Sequence, residues 1–121
     1  MRYLLDSNII IYFLKGLLAD PLPDDAYGVS VISEIEILSY PSLPADDERL
    51  IRDLLATIEV IDLSPDIRDA AIQLRRAYNL KLPDAIIAGT ALALDAELLT
   101  NDARLAQTPG VRCRQLRMKE A

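Results

Sequence analysis

Four carboxylate side chains stand out because each falls at the end of an apolar stretch or near the start of a predicted helix. They are Asp6, Glu36, Asp84 and Asp102. Carboxylates that converge repel one another and raise each other's pKa, and a bound divalent cation removes that penalty. A site with only oxygen ligands suits Mg²⁺ or Mn²⁺. Such a site can activate water and hold a phosphodiester in line for attack.

The composition excludes most other catalytic chemistry. The chain has 121 residues, no His and a single Cys, Cys113. Without His there is no Ser-His-Asp or Cys-His nucleophile system and no His-metal site. One Cys allows neither an internal disulfide nor a thiolate zinc cluster, and it fits a reducing cytoplasm. Catalysis must therefore use carboxylates, hydroxyls, amides, Lys and Arg.

Short apolar stretches alternate with helical patterns along a chain whose length fits one domain, residues 1–121. Strands are predicted at 3–5, 27–31, 58–61, 97–100 and 111–116. Helices are predicted at 9–18, 33–40, 46–56, 64–78 and 83–94, with a short helical piece after Asp102. Three consecutive isoleucines leave a strand open as an alternative at 9–11. The alternation predicts an α/β fold with a parallel sheet covered on both faces, and ligands beyond the carboxyl ends of its strands.

Each of the four carboxylates also has an ordinary local explanation. Asp6 could end a strand or cap a helix, and Asp102 could be a helix N-cap. Ser33 and Glu36 have the spacing of a capping box. Asp84 would favour the positive end of a helix.

The sequence around two of the carboxylates favours a site over these local roles. Residues 85–94 contain no charged residue, so this helix is predicted to be buried, with Asp84 at its entrance. Asp6 is flanked by leucines and isoleucines on both sides. A carboxylate at a buried edge needs a partner or a cation.

Together these segments resemble the PIN-domain ribonucleases, in particular the VapC-type toxins of bacterial toxin–antitoxin pairs. The matching stretches are LLDSN at 4–8, SVISEIE at 30–36, LPDAIIA at 82–88 and LLTND at 98–102, with PGV at 109–111 resembling the turn into the last strand. They occur in the family's order and at its spacing, and they cover essentially the whole chain. Any one stretch is a weak signal, whereas the ordered set is specific.

The resemblance implies a three-layer α/β/α fold with a central parallel sheet, and RNA cleavage that depends on Mg²⁺ or Mn²⁺. It implies that the four carboxylates are catalytic, with Asp6, Asp84 and Asp102 holding the metal and Asn8 and Thr100 supporting them. The motif selects Glu36 rather than its neighbour, Glu34. It also implies a homodimer and a small antitoxin partner. Leu105 stands where the family often has an aromatic residue, which weakens a packing expectation only.

Charge is unevenly distributed in this acidic chain, whose net charge is −6. Residues 1–60 carry 4 basic and 11 acidic side chains, whereas residues 61–121 carry 9 basic and 8 acidic. Arg104, Arg112 and Arg114 are therefore the predicted RNA contacts. The alternative for this basic cluster is an edge strand protected by charge. No apolar run reaches the roughly 20 residues of a membrane span, which favours a cytoplasmic protein. The last four residues, 118–121, are predicted to be frayed.

Other functions remain open from the residues alone. A phosphatase with an Asp nucleophile would need a second Asp two residues after Asp6, where the chain has Asn8. A phospho-accepting receiver domain could use Asp62, which follows the third predicted strand, although the acidic pair expected after the first strand is missing. A PIN fold retained only for binding is a further alternative.

Overall fold

Five short strands form a single parallel sheet in a computed structural model that describes residues 1–120. They are β1 (Tyr3–Leu5), β2 (Tyr27–Ser30), β3 (Glu59–Ile61), β4 (Glu97–Leu99) and β5 (Cys113–Arg114). Their order across the sheet is β3-β2-β1-β4-β5, and every neighbouring pair is parallel. The carboxyl ends of all five strands therefore lie along one edge, as predicted for an α/β fold.

Six helices connect and cover the strands. They are α1 (Ser7–Leu14), α2 (Val31–Leu38), α3 (Ala45–Leu55), α4 (Pro65–Tyr78), α5 (Leu82–Ala93) and α6 (Ala103–Ala106). The predicted stop of α4 is confirmed, because Asn79 adopts the left-handed conformation that ends a helix, with φ 52°. None of the helices within residues 1–120 is long and apolar enough to cross a membrane.

Two hydrophobic clusters cover the sheet, one on each face. Leu4 belongs to the cluster formed with α4 and α5, whereas Leu5 belongs to the cluster formed with α1 and α3. This division follows from the alternation of side chains along a strand. Residues 85–91 of α5 are all buried, as predicted from the absence of charge over residues 85–94, whereas residues 92–94 are exposed. The result is the three-layer α/β/α arrangement.

Three local predictions were wrong in detail. Helix α1 spans Ser7–Leu14 rather than the predicted 9–18. It starts earlier because Asp6 is its N-cap and accepts a hydrogen bond from the Ser7 amide, and it ends before Gly16, which has φ 69°. The Ser33–Glu36 capping box does not form, because the N-cap of α2 is Ser30, whose hydroxyl accepts from the Ile32 amide. The last strand has only two residues rather than six. Helix starts are hard to locate when several adjacent residues can cap.

The C-terminal segment is tied to the connection that follows α1. Leu18 forms an antiparallel bridge with Met118, and the Lys119 amide donates to the Leu17 carbonyl. Arg117 makes an ion pair with Asp20 at 2.8 Å. The prediction of a frayed end was therefore wrong for Met118 and Lys119, while Ala121 lies outside the described residues.

Gly89 allows α5 to pack closely against α4. A Cβ atom at this position would lie 2.9 Å from the Ala71 amide nitrogen and 3.2 Å from the Ile67 carbonyl oxygen. Because both atoms belong to the backbone, Gly89→Ala would force the two helices apart. We expect a net loss of about 1–2 kcal/mol in the free energy of unfolding, despite the better helix propensity of Ala. Urea unfolding would measure it as a lower midpoint at unchanged slope, and an unchanged midpoint would contradict it.

Candidate active site

The order of the strands places three strand ends side by side. Strand β1 lies between β2 and β4, and Leu5 is in register with Val29 on one side and Leu99 on the other. The next residues along these strands are Asp6, Ser30 and Thr100. The chain therefore turns from strand towards helix at three adjacent points of one edge, which is where α/β sheets place their ligands.

Asp6 is the most buried carboxylate of the four, with 7% of its surface exposed. One carboxylate oxygen accepts from the Ser7 amide at 2.8 Å, and the other accepts from the Thr100 hydroxyl at 2.7 Å. Burial raises the pKa of Asp6 above its usual value, these two hydrogen bonds oppose the rise, and the charge of Asp102 adds to it. The two hydrogen bonds therefore fix the orientation of the carboxylate, but they do not fully offset the cost of burying its negative charge.

Thr100 connects two of the predicted site residues. Its buried hydroxyl donates to Asp6 and accepts from the Asp102 amide at 3.0 Å. Asp102 is exposed, and its Oδ1 caps α6 by accepting from the Arg104 amide at 2.8 Å and the Leu105 amide at 3.4 Å. Asp102 can therefore cap α6 and also belong to the site, because capping uses only Oδ1 and leaves its second carboxylate oxygen available.

Glu36 approaches the same edge from α2. Its Oε1 accepts from the Ser7 hydroxyl at 3.0 Å. Ser7 therefore contacts two carboxylates, through its amide to Asp6 and through its hydroxyl to Glu36. The sequence placed Ser7 in a motif and among possible caps, but it gave no signal for this second contact. Glu34 lies two residues earlier, roughly 200° around the helix from Glu36, so its side chain leaves α2 in another direction.

Asp84 lies close enough to the other three carboxylates for their charges to affect its pKa. It lies in the first turn of α5 and is half-buried. Burial raises the pKa of Asp84, and the charges of Asp102, Asp6 and Glu36 raise it further, while Lys81 opposes the rise. Each of the other three carboxylates thus acts on Asp84.

The donor atoms of these residues suit a hard divalent cation, although their present positions do not form a complete set of metal ligands. The donors are carboxylate and hydroxyl oxygens, which suit Mg²⁺ or Mn²⁺. Within residues 1–120, no three Asp, Glu or Cys side chains are grouped closely enough to hold a metal ion by themselves. The four carboxylates repel one another when no cation is bound, so some inward movement of carboxylates would accompany binding.

The remaining predicted residues fall into two groups. Asn8 is exposed at the start of α1, and Arg104 follows Asp102 at the same edge, with its guanidinium 3.4 Å from the Asn79 carbonyl oxygen. Arg112 and Arg114 instead pair with Asp95 and Glu97, at 3.0 Å and 2.9 Å. Their partners stand at the amino end of β4, so the structure holds these two guanidinium groups near the edge opposite the carboxylates.

A groove of about 520 Å³ opens beside Glu36. Ser7, Asn8, Ile11 and Leu14 of α1 and the following Lys15 line one side. Residues of α2, α3 and their connection line the rest, and most of them are apolar, with Ser42 and Asp47 as polar exceptions beside Glu36. Tyr40, at its rim, is 72% exposed. Of the four carboxylates, Glu36 is the one that lines this groove.

Comparisons with known proteins agree with this architecture. The family model described as PIN domain matches residues 3–111. A toxin–antitoxin complex from Klebsiella pneumoniae is 34% identical, with a TM-score of 0.72, over 90% of this chain and 94% of that chain. The VapBC-1 structure from nontypeable Haemophilus influenzae is 25% identical, with a TM-score of 0.78, over 95% and 98%. The DNA-bound VapBC of Salmonella typhimurium, 20% identical over 95% and 98%, shares the fold with a TM-score of 0.79. No curated protein matches the sequence at a significant level.

Proposed function

Since the chain belongs to the PIN domain family and is of the VapC toxin type, we propose that it is a Mg²⁺- or Mn²⁺-dependent endoribonuclease, the toxin of a type II toxin–antitoxin pair. The observation that carries this proposal is geometric: Ser7 joins Asp6 to Glu36, and Thr100 joins Asp6 to Asp102, by hydrogen bonds at the carboxyl edge of the sheet. Asp84 lies close enough for the charges of the other three to raise its pKa. A structural cluster would pair such charges with Arg or Lys. These four have hydroxyl, amide and carboxylate neighbours instead, with only Lys81 opposing.

Asp6, Asp84 and Asp102 are the residues that would hold the metal. When bound, a divalent cation supplies water of lowered pKa and neutralises the charge that develops on the attacked phosphodiester. Thr100 keeps Asp6 oriented, and Ser7 keeps Glu36 turned towards Asp6. Glu36 would complete the site, as a further ligand or by orienting the attacking water, and Asn8 stands at the same entrance.

RNA would approach this edge although the chain is acidic. Four of its 19 acidic residues belong to the proposed site, where bound cations would offset their repulsion of phosphate. Arg104 lies at this edge and is our favoured phosphate contact, whereas Arg112 and Arg114 would need to leave Asp95 and Glu97 to reach RNA there. An RNA-cleaving toxin of this kind would act in the cytoplasm, as a homodimer restrained by a small antitoxin.

The proposal is tested by incubating the purified chain with single-stranded RNA and Mg²⁺ or Mn²⁺. We expect cleavage that stops on addition of EDTA and returns with excess cation. In cells, expression should arrest growth, and co-expression of a small neighbouring partner protein should relieve the arrest. Absence of cleavage with either metal, in a folded protein freed of its partner, would contradict the enzymatic assignment.

Glu36 and Glu34 form a matched pair for testing the position of the site. We expect Glu36→Gln to lower RNA cleavage by roughly 10–100-fold, because it removes a carboxylate from the site while keeping its shape. Glu34→Gln removes the same charge from the same helix, and because Glu34 is half-buried on another side of α2 from Glu36 it should leave cleavage within about twofold of the wild type. Initial cleavage rates would measure both. Equal losses in the two variants would indicate a general charge effect.

A further inference from the structure

Ser33 is buried in α2 without a visible reason. It has 0% of its surface exposed, and within residues 1–120 its hydroxyl is the one buried side-chain oxygen or nitrogen that has no hydrogen-bond partner. A buried hydroxyl without a partner is unfavourable, because it has given up its hydrogen bonds to water. A helical Ser usually avoids this cost by donating to the carbonyl four residues earlier. Here that residue is Val29, which belongs to β2 rather than to the helix.

The position of Ser33 on α2 places it on the same side of the helix as Glu36. Glu36 follows by one turn on the same side of the helix, and side chains of a helix lean towards its N-terminus, so Glu36 reaches back over Ser33. Ile32 packs on the cluster of α4 and α5, while Ile37 packs on that of α1 and α3. Around the axis of α2, Ser33 and Glu36 lie between Ile32 and Ile37, and so between the two hydrophobic clusters.

We propose that Ser33 is a positioning residue of the active site, whose hydroxyl holds a water molecule against the carboxylates of Asp6 and Glu36. This inference rests on the proposed nuclease function. A buried water needs two to four polar partners, and the hydroxyl together with two carboxylates provides them. Each carboxylate has acceptor capacity left, since one oxygen of Glu36 has a single partner and each oxygen of Asp6 has one. Ser33 would act through this water and not by touching RNA.

Ser33→Ala tests the proposal, with Ser39→Ala as the control. Ser39 is exposed at the C-cap of the same helix and donates to the Glu36 carbonyl. For Ser33→Ala we expect kcat to fall about 10-fold at nearly constant KM, and the rise in Tm produced by Mn²⁺ to shrink. The Tm of the metal-free protein should change little, because within residues 1–120 the Ser33 hydroxyl has no hydrogen bond to another protein group to lose. Ser39→Ala should match the wild type in kcat and in the Mn²⁺ response.

Two further measurements make the test independent of activity. A crystal structure should show a water within hydrogen-bonding distance of the Ser33 hydroxyl, and Ser33→Thr, which keeps the hydroxyl, should restore kcat if circular dichroism shows a native fold. Wild-type kcat and an unchanged Mn²⁺ response in Ser33→Ala would overturn the proposal, as would a hydroxyl bonded only to backbone. If the wild type itself fails to cleave RNA, the nuclease function fails, whereas the water and the Mn²⁺ response still decide the role of Ser33.

Discussion

Replacing Asp6 with Asn is expected to lower metal-dependent RNA cleavage by at least about 100-fold, and to abolish growth arrest. Asp6 is the most buried of the four carboxylates and is held at both oxygens, by the Ser7 amide and the Thr100 hydroxyl. An Asn side chain keeps the shape and one acceptor but loses the negative charge that a cation needs. Its amide group would also present hydrogens to Thr100, whose own proton points towards position 6.

Asp25 supplies a control for this experiment. One of its carboxylate oxygens accepts from the amide of the next residue, Ala26, at 2.7 Å, as Asp6 does from Ser7. It precedes β2 and so lies at the other end of the sheet from the site. Asp25→Asn removes the same charge and should leave cleavage near the wild-type rate. Circular dichroism would show that both variants are folded, and full activity in a folded Asp6→Asn variant would exclude the proposed site.

Asp84→Asn is expected to lose activity on a similar scale while making the metal-free protein more stable. Burial and three neighbouring carboxylates raise the pKa of Asp84, so its charged form is disfavoured in the folded chain. Removing that charge should raise the free energy of unfolding by a few tenths of a kcal/mol, a modest figure because the side chain is only half-buried. Chemical unfolding in EDTA would measure the gain, and activity assays with Mn²⁺ would measure the loss.

The gain in stability should depend on pH in a defined direction. A carboxyl whose pKa is higher in the folded chain than in the unfolded chain disfavours folding once pH rises through that range. The difference between Asp84→Asn and the wild type should therefore be greatest near neutral pH and vanish below the ordinary Asp value of 3.8. Mn²⁺ should reverse the order, because it stabilises only a chain that binds it.

Asp66 is a matched control for this substitution. It also follows a Pro in the first turn of a helix, but it is exposed on α4, away from the other carboxylates. Asp66→Asn should lower stability slightly, through the loss of a favourable charge at a helix N-terminus, and should leave cleavage unchanged. A stability gain in both variants would indicate that net charge, rather than the site, is responsible.

Much of the architecture could be predicted from local sequence. Strand β1 and the central part of helix α5 follow from short-range apolar patterns, since all of β1 and residues 85–91 of α5 are buried. Because parallel strands share one carboxyl edge, placing Asp6, Glu36 and Asp102 near that edge required only the alternation of strands and helices. Asp84 was harder to place, since α5 follows another helix. The ordered motifs supplied that placement.

The features that could not be predicted are the directions in which long side chains extend and the order of the strands in the sheet. Arg112 and Arg114 were expected to contact RNA from one face of a strand, but the sequence did not show which end of the sheet their long side chains would reach. In the structure they turn back to Asp95 and Glu97. Similarly, the receiver-like alternative used Asp62, which follows the third strand, but the sequence did not show where that strand lies in the sheet. Strand β3 is at the edge of the sheet, with β2 between it and β1, so Asp62 is not beside Asp6.

The hydrogen bonds at Thr100 have a further consequence, because a hydroxyl has only one proton. The Asp102 amide donates to the Thr100 oxygen, and the Thr100 proton goes to Asp6, so this series of bonds has a direction. Each donor polarises the next, and the negative end lies at the Asp6 carboxylate. Two residues separated by 94 positions in the sequence thus share a single oriented proton. A slowly exchanging hydroxyl resonance from Thr100 would therefore report the charge state of Asp6 without any cleavage assay.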